Sequence, residues 1–159
     1  MLTDIYDYEV SNPALWQGRS DSLPGERFFQ KMQCVDIRTS ELKNTNEQII
    51  LGFCSDEGIR RNQGRVGAKW GPNVLREQLA KLACHTDRQY IDAGNIICAE
   101  HQLESAQNQF AKLIDYCHMH HRKTLAFGGG HEIAWAHFNG LAPHYSKIGI
   151  INFDAHFDI

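Results

Sequence analysis

The chain has 159 residues, 42% of them hydrophobic and 22% charged, with a net charge of −3. That length supports one domain with a real core, and the balance of charge excludes nucleic-acid binding through a general basic field. No apolar run approaches the ~20 residues of a membrane span, so no membrane partner is expected.

Residues 1–45 are polar and irregular, with Pro13, Gly18, Pro24 and Gly25. They read as an N-terminal arm wrapped over a domain that occupies 46–159. Met1–Tyr8 carries Asp4 and Asp7 and no hydrophobic run, unlike a secretory signal. The segment Gln48-Ile49-Ile50-Leu51-Gly52-Phe53 predicts a buried strand, followed by a Gly/Arg-rich loop over 54–71. Pro72 fits the first turn of a helix, and Val74, Leu75, Leu79 and Leu82 keep helical spacing to about Cys84. A short strand is expected over 88–92.

The clearest helix is 101–122, where Leu103, Ala106, Phe110, Leu113, Ile114 and Cys117 recur at steps of three and four. A second buried strand over 123–127 ends in Gly128-Gly129-Gly130. A helix from about His131 to Leu141 follows, and a last buried strand is expected over 147–153. Continuously apolar strands alternating with helices imply an α/β fold, a parallel sheet with helices on both faces. The five cysteines, Cys34, Cys54, Cys84, Cys98 and Cys117, form no C-x-x-C pair. They read as reduced packing thiols, which places the protein in the cytoplasm.

In an open parallel sheet, ligands bind beyond the carboxyl ends of the strands. One such end carries the Gly/Arg loop, one carries Gly-Gly-Gly-His-Glu at 128–132, and one carries Asp154-Ala155-His156-Phe157-Asp158. Alternate residues of an extended segment share a face, so Asp154, His156 and Asp158 aim at one point. His131 is placed to join them. Carboxylates and imidazoles without thiolates suit a hard or borderline divalent ion, and neighbouring carboxylates suit a bridged metal pair. The glycine run lacks the spacing of a phosphate-binding loop, although its place after a strand leaves a phosphate cradle open. Arg60, Arg61, Arg65 and Lys69 form either a solvated loop paired with Asp56 and Glu57, or a site for substrate carboxylates. His118-Met119-His120-His121 lies at the end of the long helix. There imidazolium interacts well with the helix dipole, and adjacent ligands point in different directions.

Together, Gly-Gly-Gly-His-Glu at 128–132 and Asp-Ala-His-Phe-Asp at 154–158 resemble the first two metal motifs of the ureohydrolases, the family of arginase, agmatinase and formimidoylglutamase. Most of that family has Asp-His-Ser where this chain has Gly130-His131-Glu132, and the Gly-His-Glu form resembles the formimidoylglutamase branch. Two further stretches, 16–21 and 56–72, resemble the same branch. The resemblance implies a three-layer arginase-like fold and two Mn2+ held by His131, Asp154, His156 and Asp158, with Asp154 bridging. It implies hydrolysis of N-formimino-L-glutamate to L-glutamate and formamide by a metal-bridged hydroxide, a step of histidine degradation, with Asp158 relaying a proton. Arg65 and Asn62, then Arg61, are the expected substrate-binding residues.

The family's later S-x-D-x-D-x-x-D-P motif has no match here. The chain is therefore expected to be the N-terminal half of such an enzyme, inactive or nearly so alone, and a homo-oligomer when full length. An agmatinase-type or guanidinobutyrase-type activity on a guanidine is the nearest alternative. A non-catalytic fragment acting through subunit association is another.

Overall fold

The computed structural model describes residues 2, 4–40, 42 and 48–156. Its centre is β3 (Gln48–Cys54), whose residues 49–54 are all buried. It pairs in parallel with β4 (Tyr90–Ile97) on one side and with β5 (Thr124–Gly128) on the other. The arm contributes β1 (Tyr8–Glu9), antiparallel to β4, and β2 (Met32–Cys34), parallel to it. The sheet is thus mostly parallel with one antiparallel edge segment.

Side chains alternate across β3, and the two sets meet different helices. Ile49, Leu51 and Phe53 pack with Ile91, Ala93 and Ile96 of β4 against α3 (Leu103–Met119). Its Phe110, Leu113, Ile114 and Cys117 line the contact, the face that the three-and-four spacing marked. Phe53 and Phe110 meet edge to face, with centroids 5.4 Å apart, a contact worth about 1 kcal/mol beyond area burial. On the opposite face Ile50 packs with Trp16 and with Ala80 of α2 (Gly71–Lys81). Helices therefore cover both faces, giving three layers. α4 (Ile133–Leu141) packs beside α3, where a side chain at Gly140 would meet the Ala111 carbonyl at 2.5 Å.

Three expectations are corrected. The α2 face read from Val74, Leu75 and Leu82 is not the buried one: they are half exposed, and the helix instead buries Pro72, Arg76 and Ala80. The reason is a partner beneath it. Arg76 is fully buried and donates from Nε and Nη2 to both oxygens of Asp92 on β4, at 2.7 and 2.8 Å.

The second correction concerns β4, which continues to Ile97 through Asp92, Gly94 and Asn95, polar residues that made the strand look shorter. Ile50 pairs with Asp92 but Gly52 with Asn95, so β4 bulges by one residue there, with Gly94 at φ +76°. Without the bulge, 92 and 95 would point to opposite faces; with it both face Arg76. Arg76 Nη1 donates to Asn95 Oδ1 at 2.7 Å, and Gly52 leaves the room, since a Cβ there would sit 1.9 Å from that oxygen. The arm closes the network, with Ser11 and Trp16 donating to Asp92 Oδ2 at 2.6 and 2.7 Å.

The third concerns residues 147–153, which form no strand. A continuously apolar strand gains stability from cover on both faces. Here Ile150, Ile151 and Phe153 are 73, 83 and 96% exposed, and no ladder among the described residues holds the segment.

Candidate functional site

The carboxyl ends of β3 and β5 are joined by backbone. Beyond Phe53, which pairs with Gly128, Gly129 N donates to Phe53 O at 2.9 Å and Gly130 N to Ser55 O at 3.0 Å. The glycine run is thus a packing device and not an open cradle. A Cβ on Gly129 would lie 1.8 Å from the Ser55 carbonyl oxygen, which no side-chain movement relieves.

This turn delivers His131 to Asp154. His131 Nδ1 lies 3.4 Å from Asp154 Oδ2, and His156 Nδ1 lies 3.2 Å from Asp154 Oδ1. The His156 backbone N–H also donates to Oδ1 at 2.9 Å. That N–H, then the two imidazoles, holds the Asp154 carboxyl below its ordinary range, so it is an anion at neutral pH. Three of the expected metal ligands are therefore neighbours, although Asp154 lies on an irregular segment outside the sheet. Asp158 lies outside the described residues.

In chemistry the donors fit a hard or borderline divalent cation. In geometry the fit is incomplete: among the described residues no group of three His, Cys, Asp or Glu side chains could hold a metal ion. Both Asp154 oxygens are turned to imidazoles, Oδ2 to His131 and Oδ1 to His156.

The Gly/Arg loop begins with α1 (Glu57–Arg61). Glu57 has a side chain only 4% exposed and gathers three cationic or imidazole groups. Arg60 donates to it at 2.6 and 2.7 Å, Arg61 at 2.9 Å, and His101 Nδ1 lies 3.1 Å away. These partners, Arg60 foremost, drive its carboxyl far below the usual range. Arg61 also bonds both Glu104 oxygens and the His101 carbonyl, and it pulls Glu104 down to about 2. Arg61, an expected substrate-binding residue, is also a strut between α1 and α3, with Glu57, Glu104 and the His101 carbonyl accepting from its guanidinium. Asp56, expected to pair with the arginines, accepts from Gly67 N at 2.7 Å instead. Asn62 ends α1, and both Asn62 and Arg65 are exposed; no ion pair among the described residues engages Arg65.

Glu132 was missed as a separate actor, since it was read only as part of a motif. Its Oε1 accepts from Ser55 Oγ at 2.9 Å and from Gly58 N at 3.2 Å. A glutamate directly after a glycine run, facing a Ser and a Gly at another strand end, is legible only once the two ends are adjacent.

His118 of the histidine tract serves elsewhere. Its Nε2 lies 3.3 Å from Thr124 Oγ1, which also lies 3.1 Å from His137 Nε2, and its Nδ1 lies 3.1 Å from Tyr145 Oη. The group sits at the amino end of β5, away from the strand ends described above. Burial, foremost, lowers the pKa of both imidazoles. The five thiols are unpaired, and burial pushes Cys54 and Cys117 up to about 12. Among the described residues no helix is long and apolar enough to cross a membrane.

Comparison with known proteins agrees with this architecture. The formimidoylglutamase of Legionella pneumophila (strain Lens) is 52% identical over the whole of this chain and 50% of its own length. That of Vibrio parahaemolyticus is 44% identical over 91% of this chain and 45% of its own. The chain thus spans about half the length of the curated relatives it matches. Among solved structures, a Trypanosoma cruzi formiminoglutamase variant with Mn2+ superposes with a TM-score of 0.60 at 25% identity, covering 68% of this chain and 39% of its own. Bacillus subtilis arginase shares the fold, with a TM-score of 0.55 at 23% identity over 65% of this chain and 36% of its own. The arginase family profile matches residues 46–159, which take in the motifs at 128–132 and 154–158 and most of the sheet. The chain belongs to the arginase family.

Proposed function

We propose that this chain carries the first part of a formimidoylglutamase site, which hydrolyses N-formimino-L-glutamate to L-glutamate and formamide. The observation that carries the reading is the meeting of His131, Asp154 and His156 beyond the carboxyl end of β5. The relatives named above support the substrate class, and the reduced thiols suit a cytoplasmic enzyme.

In this reading His131, Asp154, His156 and Asp158 hold manganese. Bound there, Mn2+ would supply Lewis acidity and an activated water at neutral pH, which a poor electrophile such as an amidine carbon requires. The chain's own residues prepare the site. The His156 N–H and the two imidazoles favour the ionised Asp154 carboxylate, the form that binds a cation. Arg65, with Asn62, is assigned the binding of substrate carboxylates, for which a guanidinium fork is suited. Asp158 is assigned a proton relay to the leaving nitrogen.

Because the chain spans half of its relatives, turnover by the chain alone is expected to be absent or nearly so, and its Mn2+ binding weak. The test is a Mn2+ titration of the chain beside Asp154→Ala, followed by assay with the remaining half of the Legionella relative supplied in trans. Formamide release from N-formimino-L-glutamate is the expected product signal. Urea release from agmatine would move the reading to the guanidine-hydrolysing branch. Mn2+ binding indifferent to Asp154→Ala would overturn it.

A further inference from the structure

We infer that Glu132 is a positioning residue whose carboxylate locks the turn presenting His131 onto the loop presenting Asn62 and Arg65, so that metal ligands and substrate-binding residues move as one body. The inference rests on the metal-site reading above.

The lock is built from several directions. Glu132 Oε1 takes the Ser55 hydroxyl, at the carboxyl end of β3, and the Gly58 N–H, inside α1. The Glu132 backbone carbonyl accepts from Gln107 Nε2 of α3 at 2.9 Å. One residue therefore ties the β5 turn to β3, α1 and α3. Two glycines make space for it: a Cβ on Gly130 would lie 1.9 Å from Glu132 Oε2, and one on Gly58 would lie 2.8 Å from its carboxyl carbon. The half-buried carboxylate is thus enclosed by backbone on both sides.

The consequence is for His131, the neighbouring residue. Its side chain is 52% exposed, with Nδ1 facing Asp154. The turn that carries it is fixed by the Gly129 and Gly130 backbone bonds and by Glu132. A ligand held within about 0.5 Å by its supporting shell binds far better than one that drifts. The same oxygen holds the first turn of α1, whose last residue leads into Asn62 and Arg65. Displacing Glu132 would loosen both sets of groups together.

The experiment uses this chain as wild type, Glu132→Ala, Glu132→Gln and Ser55→Ala. Amide exchange is read at Gly58 and Gly130, and Mn2+ affinity by titration. Glu132→Ala is expected to speed exchange at Gly58 and to weaken Mn2+ binding by about 10- to 100-fold, the usual effect of losing a supporting group. Glu132→Gln keeps an acceptor oxygen for Ser55 and Gly58, so it should restore most of both. Ser55→Ala removes one bond of the lock from the other side and should reproduce part of the loss; it replaces Glu132→Ala should that variant not fold.

Unchanged Gly58 exchange in both Glu132→Ala and Ser55→Ala overturns the lock. So does a Glu132→Gln variant that recovers exchange but not Mn2+ affinity, since the carboxylate charge would then act on the metal directly. A wild-type chain that takes up no Mn2+ counts against the metal-site reading, and the exchange results then decide the lock independently.

Discussion

Replacing Arg76 by Met gives the sharpest test of how this fold holds together. The guanidinium is fully buried and makes four bonds: two to Asp92, one to Asn95 Oδ1 and one to the Gly94 carbonyl at 3.1 Å. Methionine fills similar space but leaves the Asp92 carboxylate, also fully buried, with only Ser11, Trp16 and Gly94 N as donors. Breaking a buried pair by removing one partner costs about 3–5 kcal/mol. Against a total of about 5–15 kcal/mol for a domain, that is a large fraction. Urea unfolding followed by the fluorescence of buried Trp16 should show a midpoint lower by on the order of 2 M, given a slope of about 2 kcal/mol per M. Arg76→Lys keeps the charge without the fork and should fall between the two. In Arg76→Met/Asp92→Asn the orphaned charge is gone, so the double variant should lose less than the sum of the single ones, with a coupling of about 2 kcal/mol. A loss below about 1 kcal/mol for Arg76→Met, or strict additivity, would refute the reasoning.

Other perturbations test the remaining parts. Gly129→Ala drives a Cβ into the Ser55 carbonyl and should cost about 2–3 kcal/mol in urea unfolding; a loss below about 1 kcal/mol would contradict the backbone-contact account. The folded-state pKa values of His118 and His137 lie below the ordinary 6.5, so the folded chain binds fewer protons than the unfolded one just below that pH. Their contribution is present in full above pH 6.5 and is lost as the pH falls below it. Unfolding midpoints should therefore drop between pH 7.5 and 5.5, and less so in His137→Gln; a flat profile would exclude the effect. Glu104 is held at about 2 by Arg61, so its contribution is present above about pH 4.5 and lost as pH falls toward 2. In Arg61→Ala an NMR titration should find the Glu104 carboxyl back near 4.5. Ile150, Ile151 and Phe153 expose a contiguous apolar stretch, so the chain should self-associate in sedimentation, and Ile151→Lys/Phe153→Lys should reduce it.

Periodicity and residue type made much of this protein readable. The run 48–53, the glycine stop at 128–130 and the three-and-four spacing of Leu103 to Cys117 all describe elements whose burial is decided locally, by which faces are apolar. The motif residues His131, Asp154 and His156 were legible because imidazole and carboxylate directly after an apolar run are costly to place without a partner. What stayed hidden needed contacts between distant segments. The apolar spacing of Val74, Leu75 and Leu82 pointed to a different face from the one that Arg76 buries, because Asp92, 16 residues away, lies beneath Arg76. The expected strand stopped at Asp92, short of Asn95, because the face that both residues share depends on a bulge that only pairing with β3 creates. The bond from Arg61 to Glu104 stayed hidden because nothing near Arg61 in the chain announces a carboxylate 43 residues on. The apolar run 148–153 reads as a buried strand, yet burial belongs to the neighbours that cover a segment, and among the described residues none does. Composition can show that a side chain needs a partner; only the folded chain determines which partner it meets.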